Sequence, residues 1–502
     1  MSTPATPGWW FAGVGGLLCL WGCAHQPIRP HTESSRAALS LYMRGLMFER
    51  TSKLDEAMDA YRQALEHDYQ APSLHVRLGA THVKLGQPEQ ALKYFNRALA
   101  IDPDHRDALR WVAMLQTSQG RIAEAIHAYA RLLEQDPTDR FILSTLADLY
   151  VLDGQIEPAI ALYQRLVLEY GSAHQLHFNL GVLYGRLGDF SWAVAELSRA
   201  LELMPDSIET RLALGLTYEL NQQPEEALAH YEDAARLDPL NPRLYLHAAR
   251  AAMSRQRFED AVRYYQTALD LDPGELETIV GLVRLWMLRH EFEQAHRLLG
   301  RKLATLSRAT ELYLLLGMLY QEVGAPLEAL RAFERAASVS RETSAQAQFY
   351  LGAQLERLGR KTDARGRLRK AIAMDPHYAD ALNYLGYLDA EDGVNLHEAK
   401  AMIERAVALD PANGAYLDSL GWVHFKLGDA REAVTYLERA AQALATDPAI
   451  FDHLGDVYFT QGDVARAQGA WRKALELDES LQDITRKLES SMSREAAAGT
   501  AP

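Results

Sequence analysis

Thirteen alanines recur along this chain at intervals of 34 or 35 residues: Ala57, Ala91, Ala125, Ala159, Ala193, Ala227, Ala261, Ala295, Ala329, Ala364, Ala399, Ala433 and Ala467. A fixed period of roughly 20–50 residues marks a solenoid, in which no unit can bury its apolar face without a neighbour. The period therefore constrains the fold before any single residue is considered.

Each alanine carries a fixed retinue. Twelve residues upstream, thirteen in one unit, stands a small residue such as Gly45, Gly79, Ala113, Gly181, Gly215, Gly317, Gly386, Gly421 or Gly455; Val283 breaks the series. Four residues after the alanine comes a bulky one, such as Tyr61, Phe95, Tyr129, Tyr231, Phe333 or Trp471. Seven after it a second small residue is usual, as at Ala64, Ala98 and Ala200. Offsets of four and seven share one helical face. Glycines at 86, 120, 154, 188, 324, 359, 393, 428 and 462 fall where a first helix would end in a left-handed residue. Acidic residues such as Asp55, Glu56, Glu225 and Glu226 then suit the first turn of a second helix. Asp102-Pro103, Asp136-Pro137, Asp238-Pro239, Asp272-Pro273, Asp375-Pro376 and Asp410-Pro411 close that helix.

At these positions the chain resembles the tetratricopeptide repeat (TPR) family, over most of its length. The resemblance implies an all-α fold: a right-handed superhelical solenoid of about 13 helix hairpins over residues 38–479, with a degenerate unit at 276–309. Lys302 replaces a small residue in that unit, and no proline closes it. It reads either as a drifted repeat or as a hinge. The eleventh unit has one extra residue in its inter-helix turn, between Glu391 and Leu396. Residues 480–490 read as a capping helix and 491–502 as a disordered tail.

The N-terminus differs from the rest. Trp9 to Leu20 is an uncharged apolar run, too short to span a bilayer and suited to a signal-peptide core. Leu20-Trp21-Gly22-Cys23 resembles a bacterial lipobox. That implies a lipoprotein signal peptide at 1–22, a lipidated Cys23, and a flexible tether over 23–37 reaching roughly 20 Å. Ala24 follows the cysteine in place of an inner-membrane retention aspartate, so the implied site is the periplasmic face of the outer membrane. Cys19 and Cys23 are the only cysteines, which leaves the processed chain without a disulfide or a thiol for catalysis or zinc.

Composition narrows the partners. A net charge of −15 and the lack of a long basic run argue against nucleic acid. No phosphate loop, zinc-binding His-Glu-x-x-His or nucleophile elbow occurs, and the 17 histidines are scattered through different units. His424 and His453 read as partly exposed helix residues. The expectation is a protein that is not an enzyme, with no cofactor, no metal and no small-molecule substrate.

In TPR proteins the first helix of each pair lines a concave surface, through residues three before and one after the small position. Carried onto this chain, those positions hold Asn383 and Tyr387, Asp418 and Trp422, and Asp452 and Asp456. Two readings stand. They form a groove for an extended basic or polar peptide, or they are ordinary TPR positions with Tyr387 and Trp422 packing on adjacent helices. Arg250 and Arg284 make a second, basic patch, while Val182, Leu216 and Met318 make other repeats apolar. The lysine and asparagine clamp of chaperone-binding TPR domains is absent, since no asparagine follows a small position.

The segment from Asp418 to Trp422 also resembles that of long proteobacterial TPR lipoproteins. One of them is an adaptor that brings a periplasmic carboxyl-terminal processing protease to cell-wall hydrolases. The expected function is thus a scaffold for periplasmic or envelope proteins. The alternative is a structural or assembly component of a secretion, pilus or polysaccharide-export system.

Overall fold

The computed structural model describes residues 33–307 and 309–498. Cys23 and the whole signal segment lie outside the described residues. Among those described, every regular element is a helix, and successive helices pair as antiparallel hairpins. Thirteen hairpins follow one another, from Glu33–Arg50 with Leu54–His67 to Pro448–Thr460 with Val464–Leu477, and a last helix spans Gln482–Ala498.

The alanine register explains the hairpin. All thirteen alanines have no solvent-accessible surface. The small residue of the first helix and the bulky residue of the second share one space: a Cβ added at Gly215 would stand 2.3 Å from a ring carbon of Tyr231, and one at Gly79 would stand 2.6 Å from Phe95. Where the bulky residue is leucine, an added Cβ would meet both it and the alanine backbone, as at Gly421, 2.6 Å from Leu437 and 3.1 Å from the Ala433 carbonyl oxygen. Glycine thus lets the helices close until the ring is enclosed. Burying such a side chain is worth about 1.5–3 kcal/mol.

Turn chemistry sets the ends. The nine inter-helix glycines all adopt φ between 68° and 87°. In four repeats a larger residue takes the same strained conformation: Ser52, Gln222, Gln256 and His290. In the eleventh repeat the extra residue is absorbed by two left-handed positions, Gly393 and Asn395. The aspartates before proline do more than precede a helix breaker. Their carboxylates accept from the backbone N–H two residues on, as Asp102 does from Asp104 at 3.2 Å and Asp375 from His377 at 2.9 Å.

The described chain falls into two compact units divided between Asp206 and Ser207. The first holds repeats one to five, with core clusters built on Tyr61, Phe95, Tyr129 and Tyr163. The second holds repeats six to thirteen and the terminal helix, which seats Ile484 against Trp471 and Val457.

Two boundaries differ from the sequence reading. The first helix begins at Glu33, so the last part of the expected tether is helical. The terminal helix runs to Ala498, through residues expected to be disordered, because Arg494 to Ala498 are strong helix formers. The eighth repeat forms both its helices, Leu276–Leu288 and Phe292–Thr305. Its larger Val283 is matched by the smaller Leu299 at the bulky position, and both are fully buried in one cluster that runs from Ala227 to Leu319. The core passes unbroken through the drifted repeat.

Candidate functional site

The register brings the predicted residues of repeats eleven to thirteen close together, but mostly facing one another. Asp418, on the helix Gly414–Lys426, is 8% exposed and lies 2.9 Å from Nδ1 of His453 on the helix Pro448–Thr460. The His453 ring stacks on Trp422 with centroids 4.1 Å apart. Trp422, 6% exposed, donates its indole N–H to Glu391 at 3.0 Å, and the Lys426 ammonium sits 4.7 Å from the centre of its ring. Tyr387 is half-buried, 6.3 Å from His453 between ring centres. Asp452 and Asp456 both accept from Lys487 of the terminal helix at 2.7 Å. Asn383 has a buried side-chain carbonyl with no hydrogen-bond partner.

The electrostatics fit a set of internal joints. Burial alone would depress His453, but the hydrogen bond and charge of Asp418, helped by Asp452 and Glu391, raise its pKa above the ordinary value. Burial also raises the Asp456 carboxyl, with Asp452 repelling it and Lys487 opposing the shift. Lys487, penalised by burial, is held charged by the two aspartates.

This geometry corrects the open-groove reading for Asp418, Trp422, Asp452 and Asp456, whose polar atoms are engaged by Glu391, His453 and Lys487. Sequence reasoning missed those three partners and placed His424 and His453 as partly exposed; both are buried. A signal for His453 was available, since it lies one residue past the inward Asp452, 35 residues from Asp418. The basic patch is also altered. Arg250 pairs with Glu277 at 3.0 Å beside a cleft of about 790 Å³ that Arg243, Asp272 and Glu275 also line. Arg284 is exposed.

The more open surface lies in repeats four and five. Phe141 is 65% exposed and Leu152 71% on the helix Arg140–Leu152. Val151, Leu152, Phe178, Val182 and Leu183 line a cleft of about 350 Å³ whose edge carries Asp148 and Arg186. The Asp148 carboxylate accepts from the Tyr163 hydroxyl. An exposed leucine in the lining of an apolar cleft fits a protein-binding surface.

Family profiles described as tetratricopeptide repeat match residues 38–69, 76–140, 116–177, 174–207, 212–275, 252–319, 314–366, 354–393 and 388–448. The chain belongs to the tetratricopeptide repeat family. Among curated relatives, the TPR repeat-containing protein PA4667 of Pseudomonas aeruginosa is 41% identical over 69 residues, 14% of this chain and 12% of that protein. The human protein O-mannosyl-transferase TMTC3 is 36% identical over 80 residues, 16% of this chain and 9% of that protein. The matches thus cover only a small part of these two relatives. Among solved structures, the APC/C hetero-tetramer Cut9-Hcn1 aligns at TM-score 0.44 and 14% identity, covering 92% of this chain and 96% of that one. Yeast Tom70 aligns at TM-score 0.37 and 17% identity, covering 91% and 100%.

In this TPR chain no group of three or more His, Cys, Asp or Glu residues able to hold a metal ion occurs among the described residues. No helix among them is long and apolar enough to cross a membrane.

Proposed function

We propose that this TPR protein is a non-catalytic scaffold that gathers envelope proteins. A lipid on Cys23 would anchor it to the periplasmic face of the outer membrane. The observation that carries the binding role is the apolar cleft of repeats four and five, with Leu152 and Val182 exposed in its lining. Tandem TPR hairpins present such side chains from successive first helices, so a partner can engage several repeats at once. The anchor rests on the Leu20–Cys23 segment. The choice of a carboxyl-terminal processing protease and its cell-wall hydrolase substrates as partners rests on the likeness of the Asp418–Trp422 segment to that of proteobacterial TPR lipoproteins.

Affinity capture of the full chain from membranes, read by mass spectrometry, is expected to recover a protease together with peptidoglycan hydrolases. Leu152→Asp with Val182→Asp should abolish that recovery while leaving the fold intact. Capture of secretin or polysaccharide-export proteins alone would overturn the adaptor reading. Cys23→Ser is expected to move the protein to the soluble fraction, and continued membrane association would overturn the anchor.

A further inference from the structure

The eighth repeat keeps its core while changing its surface. In three repeats the residue six after the repeat alanine ties down the preceding turn, while Arg97, Arg199, Arg335 and Arg439 at the same position make other contacts. The three are Arg131, Arg165 and Arg405, and each donates to the backbone carbonyl of the preceding turn proline: Pro103, Pro137 and Pro376, the last at 2.6 Å. In the eighth repeat that position is Arg301. There the neighbouring Lys302, the residue that breaks the small-residue pattern, reaches the Pro273 carbonyl at 2.6 Å instead.

Arg301 lies one turn from Arg297 on the helix Phe292–Thr305. Both are exposed, and neither belongs to an ion pair among the described residues. Glu293, one turn before Arg297 on the same helix, is exposed and does not line the cavity beside Arg297 and Arg301, and other carboxylates of repeats seven and eight are paired. Glu259 and Glu291 pair with Arg289 at 3.2 Å and 2.6 Å, and Asp260 pairs with Arg257 and Arg263 at 2.6 Å. Arg297, Arg301, Gln266, Gln294 and Trp286 together line a cavity of about 390 Å³. Trp286 is 5% exposed and its indole N–H has no acceptor, unlike that of Trp422.

Two guanidinium groups and an indole N–H can only donate, and no carboxylate lines the cavity. Its missing component is an anion with several acceptor oxygens. A carboxylate has two oxygens and would satisfy one guanidinium fork. A phosphate monoester has three and a charge near −2, which matches two forks. The cavity has room for several waters, at about 30 Å³ each, so it also accommodates the group carrying the phosphate.

We propose that the eighth repeat is a binding site for a phosphate monoester, held by Arg297 and Arg301 with Trp286 behind them. In this repeat Lys302 holds the Pro273 carbonyl, so Arg301 is not needed there. The phosphate can belong to a soluble small molecule or to a lipid headgroup.

The test uses the intact chain titrated with phenyl phosphate by calorimetry, alongside sedimentation with phosphatidylcholine vesicles containing phosphatidic acid. Saturable phenyl phosphate binding is expected. The double variant Arg297→Gln, Arg301→Gln should weaken it roughly tenfold or more with an unchanged thermal unfolding midpoint. Lys302→Ala should also weaken it, because the Pro273 carbonyl is then open to Arg301. Vesicle binding lost in the double variant supports the site with a lipid source. Phenyl phosphate binding without vesicle binding supports it with a soluble source. Absence of saturable binding to either probe, or equal affinity in the native chain and the double variant, overturns the proposal. Citrate binding as tightly as phenyl phosphate overturns the phosphate assignment.

Discussion

His453 Nδ1 stands 2.9 Å and 3.1 Å from the two carboxylate oxygens of Asp418, one repeat away, and both residues are buried. The pair is enclosed by Trp422 stacked on the imidazole, by Tyr387 and Glu391 from the eleventh repeat, by Lys426 over the indole, and by Asp452 with its Lys487 partner. Its folded pKa is raised above the unfolded value of about 6.5. The pair's contribution is therefore complete below that unfolded value and is lost as pH rises through the higher folded one. Amide exchange in repeats twelve and thirteen is expected to accelerate as pH climbs through that range, after correction for intrinsic exchange. His453→Gln should remove the dependence and, by leaving Asp418 buried without a cation, cost about 3–5 kcal/mol. Identical corrected exchange at pH 6 and pH 9 in the native chain would sink this expectation.

Two glycine substitutions should have opposite signs. A Cβ at Gly215 would meet the Tyr231 ring at 2.3 Å, so Gly215→Ala forces the hairpin apart and should cost about 1–3 kcal/mol. Gly366 lies inside the helix Lys361–Met374 with nothing within 4 Å of an added Cβ. Gly366→Ala should stabilise by about 0.5–1 kcal/mol. Thermal melts of the two variants against the parent give the comparison.

The left-handed turn positions offer a second stabilising change. Gln256 holds φ 56° where most repeats have glycine. Gln256→Gly relieves that strain, and a gain of about 1 kcal/mol is expected. A loss of stability would mean that the side chain makes a compensating contact.

Lys487 ties the terminal helix to the last repeat. Lys487→Ala leaves Asp452 and Asp456 repelling one another with their hydrogen bonds unmade, and should loosen Gln482–Ala498 by about 1–3 kcal/mol. Acid should partly restore the helix, since the Asp456 carboxyl is already raised and protonation would relieve the repulsion. Hydrogen exchange of that helix at neutral and acidic pH measures both effects, and unchanged protection at neutral pH would remove Lys487 from this role.

What could be read from the sequence follows from what repeats. The thirteen alanines and nine turn glycines answer to one backbone geometry, so their spacing alone specifies hairpins and their ends. The same register sets Asp418 and Trp422 on the face that meets the next first helix, through His453. Their engagement was not legible, because it depends on His453, Glu391 and Lys426, which occupy different register positions and come together only when the first helices stack. The helical ends at Glu33 and Ala498 escaped for another reason: they lie beyond the periodic pattern, where only local propensity speaks.

The contact between Lys302 and the Pro273 carbonyl has a broader consequence. A backbone acceptor at a turn needs one donor. Either of two adjacent side chains on one helix can supply it, as arginine does at Pro376 and lysine at Pro273, and the scaffold is closed the same way in both repeats.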